Sequence, residues 1–152
     1  MPAVDVQVRD ARYYRLGRPR DFCRRVVAAA WLAGDAEVSV VLAGDGFVRE
    51  LNRRYRGRDA PTNVLSFENK KPPQGAPWMA GDIVIAYRTT AREARAQGVS
   101  FRAHLAHLLV HGALHLQGYD HLSDGQADAM ERLEGELMRR MGYADPYGAG
   151  RR

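Results

Sequence analysis

The chain is short of several things, and each shortage removes a class of protein. It holds one cysteine, Cys23, in 152 residues, so no internal disulfide framework can form and a reducing cytoplasm is the expected compartment. Cys23 falls beside Phe22 and Val26 in a helical pattern, where a lone cysteine packs as a small hydrophobe. No stretch of eighteen apolar residues occurs, so no membrane-spanning helix is expected. The opening residues, MPAVDVQVRD, carry charge early and lack the apolar region of a secretory signal. Lysine is scarce: of 23 basic residues only Lys70 and Lys71 are lysines. Histidine is missing from all but one short stretch, 104–121, which holds five: His104, His107, His111, His115 and His121.

What is present is an ordinary globular composition, 45% hydrophobic and 27% charged, at a length that supports one domain with a real core. The net charge is +5. Arginine meets phosphate with a planar fork, so an arginine-dominated basic chain suits a nucleic-acid partner. Codon bias explains the same composition equally well, and charge by itself does not choose.

The pattern along the chain alternates strand and helix. VDVQV at 4–8 alternates apolar and polar like a half-buried strand. Residues 19–33 read as a helix that starts at Pro19 and stops at Gly34. EVSVVLA at 37–43 is a strand. FVRELNRRYR at 47–56 is a helix with Phe47, Leu51 and Tyr55 on one face, broken by GRDAPT. NVLSF at 63–67 is a strand, NKKPPQGAPWMA a loop, and GDIVIAY at 81–87 a buried strand. A helix ends at Gly98, and Ser100 caps the next, which runs to about Gln117. Ser123 with Gln126 forms a capping box for a last helix, 124–141, closed by Gly142. The tail, 145–152, is expected to fray. Four strands with about five helices predict a single layered domain, α/β or α+β, over residues 1–152. A helical crossover can join the first two strands, and the loop between 63–67 and 81–87 allows an antiparallel pair.

The segment HGALHLQGYDH, 111–121, carries the chemistry. Its histidine spacing is that of a metzincin, H-E-x-x-H-x-x-G-x-x-H, with Gly112 where the protease has glutamate. His111 and His115 stand one helical turn apart and can chelate one ion from one face. Gly118 can take the positive φ that ends a helix and turns the chain back, returning His121 to the pair. Three neutral imidazoles plus an open position make a catalytic zinc site. His107 is either a partner behind the site or an alternative ligand. Asp120 is a base, an orienting partner or a turn cap. Without a carboxylate at 112, the protease reaction lacks its general base. A phosphodiester instead needs positive charge around its transition state, and arginines supply that.

On these residues the chain resembles the YbeY family of single-strand-specific metallo-endoribonucleases, the rRNA maturation factors. Residues 111–121 match H-G-x-L-H-L-x-G-Y-D-H at every fixed position. LNRRYRGRDAPTNVLSF, 51–67, matches L-N-x-x-Y-R followed by P-T-[DN]-V-L-S-F, and GDIVI, 81–85, matches the next strand. The resemblance covers roughly 45–141. It implies a mixed four-stranded sheet with the zincin-like histidine helix at the centre. It also implies one Zn²⁺ held by His111, His115 and His121, and a catalytic arginine, Arg56, beside it. Arg53, Arg54 and Arg58 are then surface charge or RNA backbone contacts. The implied function is maturation of ribosomal RNA, notably at the 3′ end of the small-subunit RNA, together with ribosome quality control. The implied partners are single-stranded RNA, the ribosome and small-subunit assembly factors. Two other readings compete: a zinc hydrolase of peptides or amides, and a non-catalytic RNA-binding assembly module.

Overall fold

The sheet forms around β-branched runs that alternate in and out. A computed structural model of the chain describes residues 1–120 and 122–148. In chain order it has β1 (Pro2–Val8), a 3₁₀ turn (Ala11–Leu16), α1 (Pro19–Ala29), β2 (Ala36–Ala43), α2 (Asp45–Arg56), β3 (Val64–Glu68) and β4 (Met79–Ala86). The helices α3 (Tyr87–Gln97), α4 (Phe101–Leu116) and α5 (Asp124–Arg140) follow. The strands make one mixed sheet in the order β1-β2-β4-β3. β1, β2 and β4 run parallel, and β3 lies antiparallel to β4 at the edge. The α/β class, the four strands and the antiparallel β3–β4 pair are as the pattern along the chain predicts.

One face of the sheet carries α1 and α4, with Val38, Val40, Leu42, Ile83 and Ile85 in the main core. The other carries α2, whose Val48 packs with Leu65, Val84 and Ala86. α4 lies at the centre, with 10 of its 16 residues buried. A helix apolar on all sides has to be enclosed on all sides, and α1, α3, α5 and the sheet enclose this one. Its polar exceptions beyond Arg102 are the four histidines, so every histidine has to find a partner inside the molecule or along a cleft.

Two local expectations change. α1 ends at Ala29 rather than Ala33, because Trp31 turns into the core against Trp78 and the Leu32 N–H donates to Oε1 of Gln117, the residue just after α4 (2.7 Å). The 3₁₀ turn is unforeseen. Asp10 caps it by accepting from the Arg12 N–H, and buried Tyr13 donates its O–H to the carbonyls of Ala43 (2.8 Å) and Ile85 (3.2 Å). That hydroxyl ties the ends of β2 and β4 together.

Arginines close both edges of the sheet. Arg24 and Arg20 on α1 donate to the carbonyls of Val4 (3.1 Å) and Val6 (3.3 Å) on β1. Arg56 donates to Ser66 O on β3 (2.7 Å). An edge carbonyl already bonded cannot template another strand, so part of the arginine excess serves the fold. Others pair with acids: Arg53 and Arg54 with Glu50, and Arg49 with Asp59.

Cys23 is fully buried, and burial pushes its thiol up to about 12. Only the thiolate is nucleophilic. A thiol-specific dye is therefore expected to leave the native protein unlabelled in neutral buffer and to react with one equivalent once guanidinium chloride unfolds it. Rapid labelling of the native protein would contradict this packing.

Candidate active site

The site lies where α4 crosses the β3 edge. Ser100 caps α4, its hydroxyl accepting from the Ala103 N–H (3.0 Å). From there 104, 107, 111 and 115 follow along the helix. Each histidine meets different surroundings. His104 is buried, and its Nε2 bonds Glu93 of α3 (2.8 Å), which also accepts from Asn63 Nδ2 (2.9 Å). His107 Nε2 bonds Glu134 Oε1 on α5 (2.7 Å), and His111 Nδ1 bonds Glu134 Oε2 (2.8 Å). The His111 and His115 rings stand 4.7 Å apart, centroid to centroid. His107 is thus a partner of the carboxylate behind His111.

α4 ends as its glycine predicts. Gly118 has φ +98°, and the Tyr119 N–H returns to Leu114 O (3.1 Å). This turn brings Asp120 into one cleft with His111 and His115. The cleft, about 370 Å³ in volume, is walled on its other side by Arg56 and by Val64, Leu65, Ser66 and Glu68 along β3. His121, the third expected ligand, lies outside the described residues. Among the described residues no three His, Cys, Asp or Glu side chains converge as a metal cluster.

The donor chemistry suits a divalent transition ion. Two imidazoles sit side by side on one helical turn. An ionised carboxylate only accepts hydrogen bonds, so His111 carries its proton on Nδ1 and its lone pair on Nε2. A ring so fixed is a ready metal ligand.

Arg56 is the last residue of α2. Gly57, at φ +70°, ends the helix there. Buried Asn52 holds the following loop, donating from Nδ2 to Ala60 O (2.8 Å) while its backbone carbonyl accepts from the Arg58 N–H (3.2 Å). The Arg56 guanidinium lies over the Phe67 ring, 5.3 Å from its centroid, and Tyr55 packs edge-on to the same ring at 5.8 Å. One Nη2–H is bonded to Ser66 O. Guanidinium has five N–H groups, so the remaining donors form an anchored cationic fork at the cleft wall.

Gly112 sits where α4 presses on the sheet. A Cβ there would lie 2.9 Å from Ile83 Cγ2 and 3.2 Å from both Ile83 Cγ1 and Ser66 Oγ. There is no room for a side chain, so the missing glutamate is a packing requirement as much as a chemical choice.

The sequence reading missed Glu134 and Tyr147. Glu134 is 1% exposed and accepts a third bond, from the Tyr147 hydroxyl (2.6 Å). Burial pushes this carboxyl up, but the hydrogen bonds it accepts from His107, His111 and Tyr147 outweigh that and hold it at about 2. Its signal was there to find: Glu134 falls on the apolar stripe of α5, with Met130, Leu137 and Met138. Tyr147 lies in the segment expected to fray. There Asp145 accepts from Arg139 (3.1 Å) and from the Tyr147 N–H (2.9 Å). Residues 149–152 lie outside the described residues.

Comparison with known proteins gives the family and the fold. A family profile described as Endoribonuclease YbeY matches residues 17–142. A protein of Methylocella silvestris named Endoribonuclease YbeY is 45% identical over 96% of this chain and 86% of its own length. One of Rhodopseudomonas palustris strain BisB18 with the same name is 51% identical over 82% of this chain and 79% of its own. The fold is also that of a Thermotoga maritima protein solved in solution, with a TM-score of 0.55 at 23% identity over 93% of this chain and 92% of that one.

Proposed function

This chain belongs to the YbeY family of endoribonucleases, and from that premise we propose that it is a zinc-dependent nuclease cutting single-stranded RNA in the cleft between α4 and β3. The observation that carries the reading is the pairing across one cleft of an anchored arginine fork, Arg56, with two adjacent imidazoles, His111 and His115. Such a cleft offers an anion cradle on one wall and metal ligands on the other. That combination suits a phosphodiester better than a peptide bond.

His111, His115 and His121 are the proposed ligands of one Zn²⁺. When bound, the ion supplies Lewis acidity toward a phosphate oxygen and acidifies water so that a nucleophile exists near neutral pH. The chain's own residues do the rest. Arg56 grips the non-bridging oxygens of the scissile phosphate through the N–H groups not used on Ser66 and stabilises the charge that builds there. Phe67 and the Ser66 carbonyl fix its approach, so little reorganisation is needed during reaction. Asp120 lines the same cleft, and in this reading its carboxylate takes or gives a proton during reaction.

The substrate in this reading is ribosomal RNA, cut near the 3′ end of the small-subunit RNA. The chain then acts in the cytoplasm with the ribosome and its small-subunit assembly factors. Among the described residues no helix is long and apolar enough to cross a membrane.

Phosphate contacts make RNA affinity fall with salt, with a log–log slope of about −0.7 per phosphate neutralised on a single strand. Titration of a labelled single-stranded oligonucleotide against salt is expected to give a slope steeper than about −2, from contacts by Arg56 and neighbouring exposed arginines such as Arg58. A flat salt dependence would contradict the phosphate-binding cleft. Removal of zinc with a chelator is expected to abolish cleavage, with recovery on adding zinc back. Cleavage at full rate by metal-free protein would sink the reading.

A further inference from the structure

Glu134 plays no part in the reaction just described, and it is absent from the cleft lining. It meets His111 from α5, one turn of α4 away from the cleft on the His107 side, and is almost completely buried. A buried carboxylate is a costly choice at that place. Its neighbours on the α5 stripe are Met130, Leu137 and Met138, and an apolar side chain of the same size would pack there without giving up hydration. What the carboxylate does that a hydrocarbon cannot is accept hydrogen bonds, and it accepts three. His111 Nδ1 binds one oxygen at 2.8 Å. His107 Nε2 and the Tyr147 hydroxyl share the other at 2.7 and 2.6 Å.

We infer that Glu134 is a positioning residue for the metal site: it fixes His111 as the Nδ1–H tautomer, turns the Nε2 lone pair toward the ion and strengthens that nitrogen as a donor. The inference rests on His111 being a metal ligand, as proposed above. The two remaining bonds give the arrangement its rigidity. His107 is drawn through its Nε2, so its proton is on the opposite nitrogen to that of His111, and the two rings clamp one carboxylate from successive turns of α4. Tyr147 closes the third side and draws the chain after α5 over the cluster, its ring edge-on to His107 at 5.5 Å. Neutral imidazole has one N–H and one lone pair, and the partner of the N–H decides which nitrogen meets the metal. A wrongly protonated His111 would present an N–H to the ion.

Two measurements test this. The first needs no mutation. Nitrogen-15 spectra of the histidine rings in metal-free wild-type protein, above the imidazole titration range, are expected to show opposite tautomers: His111 protonated on Nδ1 and His107 on Nε2. His111 found protonated on Nε2 overturns the inference. The second is zinc affinity, read by competition with a chromophoric chelator. Glu134→Gln keeps the shape but leaves one oxygen acceptor and an N–H₂, so one of the two imidazoles loses its acceptor. Affinity is expected to fall roughly 10- to 100-fold. Glu93→Gln, which alters the partner of His104 but touches neither His107 nor His111, is expected to leave it unchanged. A folded Glu134→Gln protein that binds zinc within about twofold of wild type overturns the role of Glu134 alone. A wild-type protein that binds no zinc overturns the metal reading beneath it. If Glu134→Gln fails to fold, the wild-type tautomers decide.

Discussion

Gly112→Glu, the substitution that rebuilds the protease motif letter for letter, is expected to damage the fold and create no peptidase. The first atom of the new side chain already meets Ile83 and Ser66 at 2.9 and 3.2 Å. Ile83 is fully buried on β4 and has nowhere to go. Overpacking of this kind costs about 1–3 kcal/mol, and a carboxylate forced against the sheet adds its own desolvation. A total on the order of 3 kcal/mol or more corresponds to a melting temperature lower by roughly 6–12 °C in a domain of this size. Gly112→Ala is expected to show the overpacking part alone. Thermal melts of the two variants beside wild type check this. A Gly112→Glu protein with a wild-type melting temperature would show that α4 can lift off the sheet, and the steric account of the missing glutamate would fail.

The second large effect falls on activity. Arg56→Ala is expected to lower kcat on single-stranded RNA by about 10²- to 10³-fold, with little change in melting temperature, because the side chain is exposed and surface substitutions cost little. Binding is expected to change far less, since one phosphate contact among several is lost; the salt slope falls by about 0.7. Arg56→Lys is not expected to restore the rate. A lysine ammonium is a point charge without the planar fork that can hold Ser66 O and a phosphate at once. Single-turnover cleavage with a separate binding titration distinguishes the two effects. A loss confined to affinity would make Arg56 a docking residue and would favour the assembly-module reading.

The fold was legible in the sequence wherever one period dominated. VDVQV and GDIVIA are strands because they alternate or carry a β-branched run, although Tyr87, read as the end of the second, opens α3 instead; Ser100 and Ser123 cap the helices that follow them. α1 was read four residues too long because AAAWLA is helical by propensity, while the contacts that end it, Trp31 on Trp78 and Gln117 on Leu32, come from distant segments. The 3₁₀ turn at Ala11–Leu16 has no apolar period and rests on Asp10 and Tyr13 finding partners elsewhere.

The site was legible in the same uneven way. The spacing of His111 and His115 and the turn at Gly118 follow from helix geometry, and the structure puts them, Arg56 and Asp120 in one cleft. What spacing could not reveal is the back of the site. Glu134 lies 23 residues from His111 along the chain, on another helix, and looks like one more surface acid until its place on the apolar stripe is noticed. Gly112 read as a lost base; only the approach of Ile83 reveals a close contact. The edge carbonyls held by Arg20, Arg24 and Arg56 likewise need the strand order before their purpose can be seen.

The most direct test of the central claim is cleavage of a labelled single-stranded RNA by wild type, Arg56→Ala and His115→Ala, with zinc content determined on the same samples. The account predicts that wild type holds about one zinc per chain, as a three-histidine site implies, and cuts. Arg56→Ala should keep its zinc and not cut, and His115→Ala should lose both. Equal cleavage by all three proteins would contradict it, since the activity would then owe nothing to the cleft between α4 and β3.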